Sequence, residues 1–144
     1  MSSNPEVDTI TRLEELTISG IGALVEGTNV FRGPIIASLA AGDSFPIPQQ
    51  AIFVRASGGS PPLIHPFDAV QEKAFLIDIF VRGEPMSYAS TRAIAQTILD
   101  HLNDNPTSSY YRAKTVASQP QWIDQEDSGA HIFVVTLELW ALEA

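Results

Sequence analysis

An acidic cluster is the part of the sequence whose residue types could do chemistry. The stretch from Trp122 to Trp140 holds four carboxylates, and three of them, Asp124, Glu126 and Asp127, stand within four positions. Carboxylate oxygens are the ligands that Ca²⁺ prefers, and carboxylate pairs serve as acid and base in hydrolytic sites. The cluster is therefore tested first as a metal site or a catalytic site.

The spacing of the cluster does not match a calcium loop. An EF-hand loop places oxygen ligands at its first, third and fifth positions, glycine at the sixth and a bidentate acid at the twelfth. Counted from Asp124, the sixth position is Gly129 but the twelfth is Val135. Asp, Ser and Gly are turn-forming residues, and the flanking segments alternate as strands do. The sequence thus predicts a solvated hairpin turn.

The other chemistry-bearing residues give weaker patterns. "GIGALV" (20–25) lacks the third glycine of a dinucleotide fingerprint, and "SGGSPP" (57–62) matches neither a P-loop nor a nucleophile elbow. His65, His101 and His131 show no metal-ligand spacing, and the chain has no cysteine. We therefore predict a protein that is not an enzyme, with no catalytic, metal-binding or cofactor-binding residue.

The composition favours a protein whose surface is largely used for contacts with partner proteins. Hydrophobic residues make up 44% and charged residues 17%, against a usual charged share of about 25%. Seventeen acidic and eight basic residues give a net charge of −9, so binding to phosphates through clustered lysine and arginine is not expected. "MSSNPEVDTITR" is no signal peptide and no apolar run approaches a membrane span. We expect synthesis in the cytoplasm and no membrane partner.

Helix and strand signals divide the N-terminal third of the chain. Asn4 and Pro5 are typical of a helix start and Gly20 of a helix end, so a helix is predicted over 5–19. After it, five glycines and three prolines interrupt the apolar runs, and only residues 29–32 are predicted as a strand. The remainder up to Gln50 is predicted as a long apolar connection.

In the middle of the chain, apolar residues recur first with period two, as in a strand, and then with period 3.6, as in a helix. Strands are predicted over 51–57 and 73–83, and Asp78 and Arg82 are expected to pair within the second strand. A helix over 87–104 is expected to cover the sheet. One face of the second strand is wholly apolar and carries Phe75, Ile77, Ile79 and Val81.

Two further strands, over 110–123 and 130–142, complete the prediction. The last strand is apolar on both faces, which suits a strand covered by its own helix on one side and by a neighbouring subunit on the other. Residues 1–144 are predicted to form a single α+β domain, with residues 1–4 as a flexible N-terminus. Its sheet is expected to be mostly antiparallel, with four to five strands and helices on one face.

The order of these features resembles the tail terminator (minor capsid or tail completion) proteins of long-tailed bacteriophages. Three segments carry the resemblance, and together they cover about residues 50 to 141: "IFVRASGGSPP", "FLIDIFVRGEPMSYASTRAIAQTILDHLND" and "PQWIDQEDSGAHIFVVTLELW". The resemblance implies a structural protein of the virion that forms a ring, commonly of six subunits. Such a ring caps the tail tube, stops its polymerisation and joins the tail to the neck and head.

The resemblance also implies the partners. They are copies of the chain itself, the tail tube protein and a neck or head-completion protein, while DNA passes through the ring without specific binding. The expected contact residues are Leu63, Ile64, Phe67 and Trp140, although packing of these side chains on their own core is an equal alternative. Two other functions stay open: a head-completion or neck connector protein, and a small-molecule enzyme or binding domain with a site in an interface cleft.

Overall fold

The computed structural model describes residues 4–33, 48–59, 63–65 and 70–143. Two helices pack on one face of a mostly antiparallel sheet, so the predicted α+β class is confirmed. The main sheet has seven strands where four to five were predicted. Among the described residues, no helix has the length and apolar character needed to cross a membrane.

Eleven elements follow one another along the chain. They are α1 (Pro5–Leu13), β1 (Thr17–Ile18), β2 (Gly22–Ala23), β3 (Val30–Arg32), β4 (Ala51–Ala56), β5 (Leu63–His65), β6 (Val70–Pro85), α2 (Tyr88–Leu102), β7 (Arg112–Thr115), β8 (Gln121–Gln125) and β9 (Ala130–Glu143). The main sheet has the order β3, β4, β6, β9, β7, with β5 also paired to β6 and β8 also paired to β9. Among the strands of the described residues, β3 and β4 are the one parallel pair, while β1 and β2 form a separate hairpin.

The two longest strands, β6 and β9, form the centre of the sheet. They pair antiparallel from Gln71 opposite Glu143 to Pro85 opposite Ala130. The predicted apolar face of each strand packs into one core, in which Phe75 is partly buried and the other predicted residues are buried. Both helices contribute to this core, and we call this side of the sheet the first face. The helical residues that pack there are Ile10, Leu13, Ile94, Ala95, Ile98, Leu99 and Leu102. Burial of each of these isoleucine and leucine side chains contributes about 1.5 to 3 kcal/mol.

Helix α1 is shorter than the predicted helix over 5–19. The Asn4 side chain caps its start by accepting a hydrogen bond from the backbone N–H of Val7, and the helix ends at Leu13. Beyond it the chain turns into the β1–β2 hairpin, where Gly20 has a φ of 100° and occupies the turn. Ile18 is buried in the core from this hairpin, which explains why the apolar spacing looked helical.

The predicted strand over 110–123 is two strands. β7 pairs with the end of β9 and β8 with its beginning, so both lie on the edge of β9 that faces away from β6. Residues 116–120, which include Pro120, connect them beside Val135 and Thr136. Since proline donates no backbone hydrogen bond, an interruption at this point of an edge is favourable.

Gly83 fixes how closely α2 approaches β6. A Cβ atom at this position would overlap the Thr91 hydroxyl and lie 2.8 Å from the Thr91 Cβ. We expect Gly83→Ala to lower the free energy of unfolding by about 1 to 3 kcal/mol, because the helix has to move away from the strand. Urea unfolding of Gly83→Ala, Thr91→Ala and the double variant measures this. A double variant that loses as much as the sum of the two single variants would contradict the contact.

Candidate functional site

Glu126 and Asp127 of the acidic cluster lie in the turn between β8 and β9, as predicted, while Asp124 belongs to β8. Glu126 donates its backbone N–H to the carbonyl of Ala130, and the N–H of Gly129 donates to the carbonyl of Glu126, both at 2.8 Å. Gly129 has a φ of 91°, a conformation that favours glycine. Among the described residues, no group of three or more histidine, aspartate or glutamate side chains could hold a metal ion.

The turn is not simply solvated, because Glu126 is an ion-pair partner of Arg82. The distance from Arg82 Nη1 to Glu126 Oε2 is 3.5 Å, and the side-chain amide of Gln49 donates to the other carboxylate oxygen at 3.4 Å. The predicted pair between Arg82 and Asp78 is therefore wrong. Four residues along a strand span about 13 Å, which is too far for an ion pair.

Arg82 is a fully buried cation in a central strand. Its side chain has 0% exposure, its Nε donates to the carbonyl of Gln49 at 2.7 Å and its Nη2 donates to the carbonyl of Pro48 at 2.9 Å. The guanidinium also lies 5.1 Å from the ring centroid of Phe53. Burial lowers the pKa of Arg82 from its usual value and Glu126 opposes that shift, yet a guanidinium stays charged in proteins.

Asp78 has a different cation, Arg55 of the neighbouring strand β4. The two residues stand opposite each other in the register, and Arg55 Nη2 lies 3.7 Å from Asp78 Oδ2. The Thr136 hydroxyl donates to the other carboxylate oxygen at 3.0 Å. Arg55 also lies over the ring of Phe80, 5.1 Å from its centroid. The sheet thus carries two arginine, carboxylate and phenylalanine groups, one buried and one exposed.

Both groups belong to the second face of the sheet, opposite the helices. Ala51 and Phe53 form a separate small core there, with Phe31 and Phe80 packed against it. Among the described residues no helix packs on this face, since the helical core residues belong to the first face. The residues of β9 that alternate with the buried first-face residues are Ile132, Val134, Thr136, Glu138 and Trp140.

Trp140 is partly buried at one end of the second face. It stands opposite Ala74 on one side and Arg112 on the other, and the Arg112 guanidinium lies 4.7 Å from the centroid of its ring. Nearby, the Tyr111 hydroxyl donates to Glu72 Oε1 at 2.6 Å, and this hydrogen bond raises the pKa of Tyr111. Trp140 is therefore positioned by a cation and not enclosed by the core.

Of the other predicted contact residues, two lie at the same end of the sheet as Trp140 and one lies outside the described residues. Leu63 and Ile64 belong to β5, where they stand opposite Glu72 and Gln71 of β6. Because Glu72 also stands opposite Leu142 of β9, β5 and Trp140 lie at the same end of the sheet. Phe67 lies outside the described residues. The structure thus places the backbone of β5 and Trp140 two strands apart, with β6 between them.

Two hollows lined by the described residues are small. The space between β7 and β8, lined in part by Leu99, Val116 and Val134, measures about 60 Å³, whereas ligand pockets measure about 300 to 1,000 Å³. The groups with a shifted pKa also do not converge. Glu15, whose pKa is lowered by hydrogen bonds from Arg12 and then His101, lies near α1, away from Arg82.

Comparison with known proteins adds no family. No protein-family model matches the chain, and none of the curated proteins matches it. The resemblance to tail terminators therefore stays a prediction, and function has to be argued from the surfaces described above. Sequence reasoning missed Gln49 as a partner of the acidic turn. The one sequence feature that could have indicated such a partner was Arg82, a cation flanked by apolar residues in a central strand.

We expect Arg82→Met to lower the free energy of unfolding by about 2 to 4 kcal/mol. The change leaves two backbone carbonyls and Glu126 without their donor. Arg55→Met is the control, since Arg55 also pairs with a carboxylate and lies over a phenylalanine ring but is exposed, and should lose less than about 1 kcal/mol. Urea unfolding measures both, and equal losses would contradict the role of burial.

Proposed function

We propose that the chain is a structural subunit of a ring that caps a phage tail tube, stops its polymerisation and joins the tail to the neck. One observation carries the proposal: among the described residues the second face of the sheet has no helix on it, although it presents Phe80, Val134 and Trp140. A sheet face that carries such side chains among its charged groups suits burial against another subunit.

The charge of the chain supports the same function. A net charge of −9 means that the surface of a ring built from this chain repels phosphates. DNA passing from head to tail through such a ring has to move without sticking. The small hollows and the dispersed titratable groups offer no comparable support for an enzyme.

Replacing Trp140 tests the proposed subunit contact. We expect the purified 15.6 kDa chain to form closed rings, visible by negative-stain electron microscopy and measurable by light scattering. Trp140→Ala should shift the rings toward smaller species while the far-ultraviolet circular dichroism stays unchanged. Trp122→Ala is the control, because Trp122 stands opposite Phe133 on the first face. A monomeric wild-type chain, also in the presence of tube protein, would contradict the proposal. Unfolding of the Trp140 variant would assign Trp140 to the core and contradict its role as a contact residue.

The channel of the ring provides a second test. Because repulsion of phosphates is the reason for the acidic balance, we expect carboxylate side chains to line the channel in an electron cryo-microscopy reconstruction. A channel lined by lysine and arginine would contradict this part of the proposal and leave the ring itself in place.

A further inference from the structure

Three large side chains are exposed at the end of the sheet opposite Trp140. Met86 lies between β6 and α2 and is 78% exposed, Tyr88 begins α2 and is 47% exposed, and Trp122 lies in β8 and is 45% exposed. Contiguous apolar patches on a domain surface are typical of binding sites. We call these residues, together with Glu84 and Asp127, the turn-end surface.

Contacts with neighbouring residues hold the patch in place. The Trp122 indole N–H donates to His131 Nδ1 at 3.0 Å, and the Tyr88 ring stands perpendicular to the His131 ring with 5.2 Å between centroids. The backbone N–H of Met86 donates to the carbonyl of Gly129 at 2.9 Å. Because the aromatic rings are already positioned, a ligand that binds there loses little entropy in ordering them.

Two carboxylates lie on the chain segments that carry or adjoin the patch. The Met86–Gly129 hydrogen bond brings the segment with Glu84 beside the turn with Asp127. Neither of these two carboxylates has a hydrogen bond or ion pair within the described part of the chain. Arg82 is occupied by Glu126, and Arg92, one turn into α2, donates to Gln119 at 2.9 Å.

We propose that the turn-end surface docks a segment of another protein that carries lysine or arginine side chains. A cation over the face of Trp122 or Tyr88 is attracted by the ring, and Glu84 and Asp127 supply the opposite charge. An arginine gains more than a lysine here, since its planar guanidinium stacks on aromatic rings. The inference is independent of the proposed ring, because it rests only on this end of the monomer.

A second copy of the chain is a poor source of that segment. The chain has only eight lysine and arginine residues. Five of them form ion pairs with carboxylates, Arg92 is bonded to Gln119, Arg112 lies over Trp140 and Lys73 has a contact of its own. The docking segment is therefore assigned to a different and more basic protein.

Nuclear magnetic resonance titration tests the proposal, with Trp140 as an internal control. The probe is a capped heptapeptide in which three arginines alternate with glycines, and the control peptide has citrulline in place of each arginine. We expect the indole N–H resonance of Trp122 to shift on titration into ¹⁵N-labelled protein, while that of Trp140 stays in place. The citrulline peptide should bind at least several times more weakly, because it keeps the shape but loses the charge.

Three variants test which side chains contribute to peptide binding. Glu84→Gln, Asp127→Asn and Tyr88→Leu should each weaken binding by about two- to fivefold, the range for exposed cation contacts. Asp100→Asn is the charge-matched control, because Asp100 is an exposed carboxylate three turns further along α2 and should change nothing. These are surface positions, and an unchanged ¹H–¹⁵N spectrum elsewhere verifies the fold.

Several outcomes would overturn the inference. Equal shifts of both indole resonances, or an equal effect of Asp100→Asn, would mean that the peptide binds through the overall negative charge of the protein and not at this surface. No shift of Trp122 at millimolar peptide would mean that the surface does not bind cations. A Trp122 shift on dilution of the protein without peptide would assign the surface to a second copy of the chain.

Discussion

Burial of the Arg82 guanidinium is the constraint on which the second face of the sheet depends. A charged group removed from water is strongly destabilising unless hydrogen bonds and an opposite charge replace the solvent. Here the replacements come from two separate segments, the carbonyls of Pro48 and Gln49 and the carboxylate of Glu126. The acidic turn is therefore fixed relative to the entry into β4, and its position is a consequence of the charge inside the sheet.

The same constraint gives the sheet two unlike faces. The first face is apolar and closed by both helices, so its side chains need only alternate with period two and fit the helices. The second face combines aromatic rings with arginines and carboxylates, and its groups satisfy one another across strands. Such a mixture of apolar and charged side chains is the composition on which the proposed subunit contact rests.

The sequence could predict the parts of the fold that depend on local periodicity. β6, α2 and β9 were predicted because their apolar residues repeat regularly over more than ten positions. The end of α1 and the break between β7 and β8 were not, since tertiary contacts of Ile18 and the pairing with β9 decide them. The partners of Arg82 stand 33, 34 and 44 positions away, so no local pattern could identify them. Trp140 was predicted as a contact residue, but its cation Arg112 is a cross-strand neighbour that only the register reveals.

The two ends of the sheet differ in how their charged side chains are paired. At one end the Arg112 guanidinium lies over Trp140 and Glu72 accepts a hydrogen bond from Tyr111, while at the other end the carboxylates of Glu84 and Asp127 have no partner among the described residues. A contact that pairs the acidic end with itself would bring like charges together, which is unfavourable. In the proposed ring, a contact through the second face avoids this repulsion. The acidic end would then stay available for the basic segment proposed above.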